Sequence, residues 1–199
     1  MNFLAKTLAA MLVVGSVQAA QADPLLFRVD LSGANEFPAN ASPGFGTAFI
    51  RIDSVANTMQ VDVINFGGLT GTTTASHIHC CLPSPFQTGI NAGVATTTPN
   101  FTGFPLGVTS GSYSHLFDMT LASSYNPAFV TANGSSVSAS EAALFAGIIA
   151  GESYLNIHSS TFGGGEIRGF LVAVPEPVTL SVFGAGVAAL VLRRRRKTN

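Results

Sequence analysis

The chain has no tryptophan, only two cysteines and few charges: Lys, Arg, Asp and Glu together make up 10% of its 199 residues. Its only lysines, Lys6 and Lys197, lie at the two ends. Between Asp23 and Val174, three arginines (Arg28, Arg51, Arg168) face nine carboxylates, a net charge of −6. An acidic, lysine-free body excludes nucleic acid and anionic lipid as partners. Two cysteines cannot build a disulfide framework. Because Cys80 and Cys81 are neighbours, an internal bridge would have to be vicinal, across Cα atoms ~3.8 Å apart, where disulfides usually span ~4.4–6.8 Å. A vicinal bridge, an intermolecular bridge and a thiolate ligand are all open; the vicinal bridge ranks first, as a rigid corner in an oxidising compartment. Phosphate loops, dinucleotide fingerprints and nucleophile elbows are missing too, so no enzyme is expected.

Long apolar runs are also scarce, and both lie at the ends. Met1 to Ala22 reads as a secretory signal peptide: Lys6, then the apolar run Thr7 to Val17, then the small-x-small site Ala20-Gln21-Ala22. At the other end Pro175-Glu176-Pro177 precedes an uncharged stretch, Val178 to Leu192, and the basic cluster Arg193, Arg194, Arg195, Arg196 and Lys197. A span needs ~20 apolar residues, with ~17 as the floor, so a transmembrane helix at 178–192 is short even for a thin bilayer. The basic end would stay in the cytoplasm and leave the body on the far side. Motif, short helix and arginine run resemble the PEP-CTERM sorting signal of Gram-negative bacteria, here residues 174–199. The resemblance implies an exosortase as partner, an inner-membrane-anchored precursor, and delivery of the mature protein to the cell surface or exopolysaccharide matrix.

The remaining body is enough for one domain and a proper core. Leu25 to Leu31, Thr47 to Ile52 and Met59 to Phe66 alternate apolar and polar residues, the mark of half-buried strands. The last two form a hairpin with Met59, Val61 and Val63 inward. Ala75 to His79 is extended, which places His77 and His79 on one side. A long Pro/Gly/Thr-rich connection, 82–112, carries enough large apolar groups to pack on the body, with a short strand near Val94 to Thr97. Further strands are expected at His115 to Leu121, Ser153 to His158 and Glu166 to Val172. One short helix follows Ser138-Ala139-Ser140-Glu141, a capping-box pattern, and stops at Gly151. Closing the final hairpin symmetrically sets His158 opposite Glu166, Asn156 opposite Arg168 and Tyr154 opposite Phe170. The pattern predicts an all-β sandwich or barrel.

Several stretches in this order resemble the CHRD, or chordin-type, domain: Leu31-Ser32-Gly33-Ala34-Asn35-Glu36-Phe37-Pro38, Gly67-Gly68-Leu69 before Ala75-Ser76-His77-Ile78-His79, the Ala143 to Gly151 helix, Tyr154-Leu155-Asn156-Ile157-His158, and Gly165-Glu166-Ile167-Arg168-Gly169. Cys80-Cys81 departs from the glycine that many members have after the second histidine. The resemblance covers residues 23–173 and implies a secreted immunoglobulin-like or Greek-key β-sandwich without an established activity.

Glu36, Asn156, Glu166 and Arg168 form a candidate polar cluster on a charge-poor protein. His77 and His79 with His158 could hold copper or zinc, which take imidazole readily. The favoured expectation is plainer: histidines hydrogen-bonded to Glu36, Glu166 or backbone carbonyls, pinning strands together. The expected function is accordingly a non-catalytic cell-surface or biofilm-matrix protein, in contact with exopolysaccharide or other matrix components. The alternative is an extracytoplasmic metal-binding module on His77, His79 and His158.

Overall fold

A computed structural model describes residues 24–175. The expected signal peptide (1–22) and short helix (178–192) lie outside the described residues; among those described, no helix is long and apolar enough to cross a membrane. The strands are β1 (Leu25–Ser32), β2 (Phe45–Asp53), β3 (Thr58–Gly67), β4 (Thr73–His79), β5 (Gly111–Asp118), β6 (Tyr154–Ser159), β7 (Ile167–Phe170) and β8 (Val172–Ala173), with helices α1 (Pro127–Ala132) and α2 (Val137–Ile149) between β5 and β6.

All pairings are antiparallel, in the order β4-β6-β7-β1-β2-β3-β5, with β8 on β1. This corrects the expected sandwich: the strands make one curled, hydrogen-bonded sheet rather than two packed sheets. Register shifts between Thr47 and Ala48 and between Thr73 and Ala75 bend the strands that carry them. The curl brings one face of nearly every strand into a shared core: Phe27, Val29 and Leu31; Ala48, Ile50 and Ile52; Met59, Val61 and Val63; Ile78, Leu155, Ile157 and Ile167. Phe101 and Phe104 from the long connection and Leu144, Phe145 and Ile148 from α2 complete it.

The long connection packs as expected through Phe101 and Phe104, but Phe86, Ile90 and Leu106 stay exposed. Its predicted strand is reduced to two isolated bridges, His79 to Val94 and Thr96 to Tyr125. Strand β5 starts earlier than predicted and ends at Asp118, whose carboxylate accepts from the Thr120 amide and turns the chain.

Two helices replace the one expected. Asn126 accepts from the Ala128 amide and Pro127 opens α1, an Asn-Pro start that the sequence displayed. The cap of α2 is Ser136, which accepts from the Ala139 amide, rather than Ser138 with Glu141. Gly151, at φ 74°, ends that helix.

Cys80 and Cys81 are bonded to each other at the end of β4. Helix α2 lies on them through Gly147, where an added Cβ would meet both sulfur atoms well inside van der Waals contact. Gly147→Ala is therefore expected to destabilise the fold by about 1–3 kcal/mol, the usual cost of overpacking a tight contact. Urea denaturation measures it, and an unchanged midpoint would show that α2 does not need this close approach.

Candidate metal centre

Strands β4 and β6 are neighbours, with His77 opposite Asn156 and His79 opposite Tyr154. Their inner faces bury Ser76, Ile78, Leu155 and Ile157, so His77, His79, Tyr154, Asn156 and His158 fall together on the outer face. Loops cover that face, which is why all of β6 is buried although only alternate residues reach the core.

The three sequence-selected histidines converge. His77 lies 4.8 Å from His79 and 4.7 Å from His158, centroid to centroid, and the side-chain nitrogens that could serve as ligands lie within 4.8 Å of one another. Exposure is only 6% for His77 and 9% for each of the others. His79 Nδ1 is 2.8 Å from the Ala92 carbonyl, and His158 Nδ1 is 3.0 Å from the Gly163 carbonyl. A carbonyl only accepts, so each Nδ1 carries the proton and each Nε2 keeps a lone pair, the arrangement that orients metal-bound imidazoles. Both of these Nε2 atoms, and both nitrogens of His77, are buried without a hydrogen-bond partner.

The electrostatics keep the rings neutral. Burial, with His79 and His158 alongside, holds His77 down at about 3; the Pro99 carbonyl opposes the shift least, being too poorly placed to make a hydrogen bond with the ring. Burial holds His79 at about 4 against the Ala92 carbonyl, and burial also lowers His158. The expected acidic partners do not reach the rings: the hydrogen-bond acceptors are loop carbonyls, which any residue can supply and no side-chain pattern reveals.

The polar cluster divides. Asn156 pairs with Arg168 and Tyr154 with Phe170, the predicted register. The ladder ends at Ile157 and Ile167, so His158 does not oppose Glu166; it pairs instead with Ala75 on β4. Gly165, at φ 131°, swings Glu166 out of the ladder, and its carboxylate accepts from Ser42 Oγ at 2.6 Å and from the Thr70 and Gly71 amides. Burial pushes the Glu166 pKa up, but hydrogen bonds from Ser159, Ser42, Thr70 and Gly71 outweigh it and leave a net lowering. Glu36 stays with the remaining pair. Burial raises it to about 7 against the pull of Arg168 and Asn156.

Arg168, fully buried, ties down the covering loops. Its guanidinium donates to the Asn35 carbonyl, to the Thr88 carbonyl at 3.0 Å and to Asn91 Oδ1 at 2.8 Å. It also lies 4.5 Å over the Tyr154 ring, which stacks on His79 at 4.6 Å. Tyr154 is a site residue that the hairpin pattern alone does not single out; its place two residues before Asn156 and four before His158, on the same side of the strand, is the signal the sequence carries. His115 is on β5, packed against Phe117, on a strand at the other end of the sheet order.

No curated protein and no solved structure matches the chain. The family model of the PEP-CTERM protein-sorting motif matches residues 173–196, which include Pro175, Glu176, Pro177 and the four arginines. The motif marks an exported protein processed at the membrane and implies recognition by an exosortase. The CHRD domain model matches residues 27–171, from the first core residue of β1 to the end of the Arg168 hairpin, and the chain belongs to that family.

Proposed function

We propose that the exported body is a non-catalytic metal-binding module, with copper or zinc held by His77, His79 and His158. One observation carries the reading: three buried imidazoles converge with four ring nitrogens unpartnered, and only the single N–H of His77 is there to serve their three lone pairs. Hydrogen bonding cannot satisfy the cluster on its own. Neutral His77 offers a single N–H, whereas His79 and His158 each present a lone pair. A cation accepts from all three rings at once, which removes the penalty of leaving buried polar atoms unpaired. The near-complete burial of the rings supports holding a metal rather than turning over a substrate.

Elemental analysis and metal titration of the full-length protein in mild detergent test this reading. About one metal per chain is expected, and His77→Ala/His79→Ala should weaken binding by more than the 10–100-fold typical of outer-shell changes. No uptake by the unmodified protein would end the proposal.

The surface or matrix role rests on a different observation. A cleft of about 400 Å³, lined by Glu36, Phe37, Asn40, Asn91 and Phe162, sets polar side chains beside two aromatic rings, a surface suited to sugar rings and their hydroxyls. Removing residues 175–199 should leave folding intact but abolish surface or matrix retention. Fractionation of cells and matrix reads the outcome, and unchanged retention would refute sorting through the tail.

A further inference from the structure

The donor set narrows the choice of metal. All three ligands are neutral imidazoles. Both cysteines are in the disulfide, and no carboxylate joins the histidine cluster among the described residues. The ligands therefore bring no negative charge to offset that of a bound ion.

Three further features weigh against a dication. The Nε2 atoms are shielded from solvent, and the cost of burying an ion rises with the square of its charge, about fourfold from +1 to +2 in a Born picture. A fixed positive charge lies close by on this face: Arg168 sits one ring away from a ligand, over Tyr154, which stacks on His79. Its repulsion doubles for a dication. Coordination number points the same way. Zn(II) almost always takes four ligands, and Cu(II) favours tetragonal geometry. Three imidazoles in a water-poor site leave either ion short, whereas d¹⁰ Cu(I) is content with three.

We infer that the site is selective for monovalent copper, held by His77, His79 and His158 in preference to Zn(II) and Cu(II). This rests on the metal-binding reading above and specifies the ion. Its consequence is a site that keeps copper reduced in an oxidising environment, since one-electron oxidation would bury a second charge beside Arg168.

The test is a set of competition titrations on the full-length protein in mild detergent: Cu(I) against bicinchoninate without oxygen, and Zn(II) and Cu(II) against chromophoric chelators. One Cu(I) per chain is expected, bound at least about 10³-fold more tightly than Zn(II). X-ray absorption should show three nitrogen ligands, and the copper should remain silent in electron paramagnetic resonance after exposure to air. Arg168→Gln should narrow the gap between Zn(II) and Cu(I); if that variant fails to fold, the wild-type comparison still decides. Zn(II) or Cu(II) bound as tightly as Cu(I), or a stoichiometric Cu(II) signal in air, would overturn the selectivity and leave metal binding standing. Failure of all three ions to bind would overturn both.

Discussion

Replacing Arg168 with methionine is expected to remove about 3–5 kcal/mol of unfolding free energy, because three part-buried acceptors lose their donor at ~1–3 kcal/mol each. Methionine keeps an apolar stem but loses every donor and the guanidinium that lies over Tyr154. The carbonyls of Asn35 and Thr88 and the Asn91 side chain, all served by one guanidinium, would then be left without it. Those acceptors belong to two loops far apart in sequence, so one side chain fastens both to the outer face of β7. Release of the second loop would also free Ala92, whose carbonyl orients His79. Metal affinity should therefore fall together with stability. Arg168→Lys should recover only part of either, because an ammonium cannot match the planar fork. Urea denaturation reads the stability, and hydrogen exchange across residues 86–93 reads the loop. A loss below about 1 kcal/mol, within the ordinary range for single substitutions, would show that the loops hold without this residue.

Much of this site was legible because it lies on regular strands. Alternation put His77 and His79 on one side, and a glycine-rich turn between two alternating segments fixed Asn156 opposite Arg168. The reading failed where the backbone left that regularity. Alternation places Glu166 in the ladder, but the positive φ of Gly165 turns it toward Ser42 and Thr70. Capping was ambiguous for a similar local reason: serines at 135, 136, 138 and 140 offer several starts, and the turn through Gly134 and Ser135, both at positive φ, selects Ser136. The single sheet was hidden for a global reason. Alternation tells which face of a strand is buried but not which strand it pairs with, and the seam between β1 and β7 rests on the register of Ser32 with Arg168. The sandwich and the curled sheet share the same inward residues, so the core list survived while the topology did not.

The metal-free protein should lose stability steeply on acidification from pH 7 to pH 5. His77 and His79 titrate near 6.5 when unfolded but at about 3 and 4 when folded, and burial also lowers His158. Between those values the unfolded chain binds more protons than the folded one. Stability is therefore full above the unfolded pKa and falls with pH, by on the order of 2 kcal/mol for each of His77 and His79 by pH 5. Glu36 acts in the opposite sense. Its pKa rises from 4.5 to about 7 on folding, so the folded protein binds the extra proton in that window and gains stability as pH falls. The two effects overlap between pH 4.5 and 6.5, where Glu36 masks part of the histidine slope. Glu36→Gln should unmask it, making the loss between pH 7 and pH 5 roughly twice that of the wild type by the same linkage. His77→Gln should flatten the curve instead. Urea midpoints across this range, with a chelator present, separate the cases. Identical slopes for the wild type and Glu36→Gln would mean that Glu36 titrates as an ordinary carboxylate. A flat curve for Glu36→Gln, where nothing masks the slope, would mean that the histidines do not stay neutral in the folded state, and would remove the electrostatic basis for their unpartnered lone pairs.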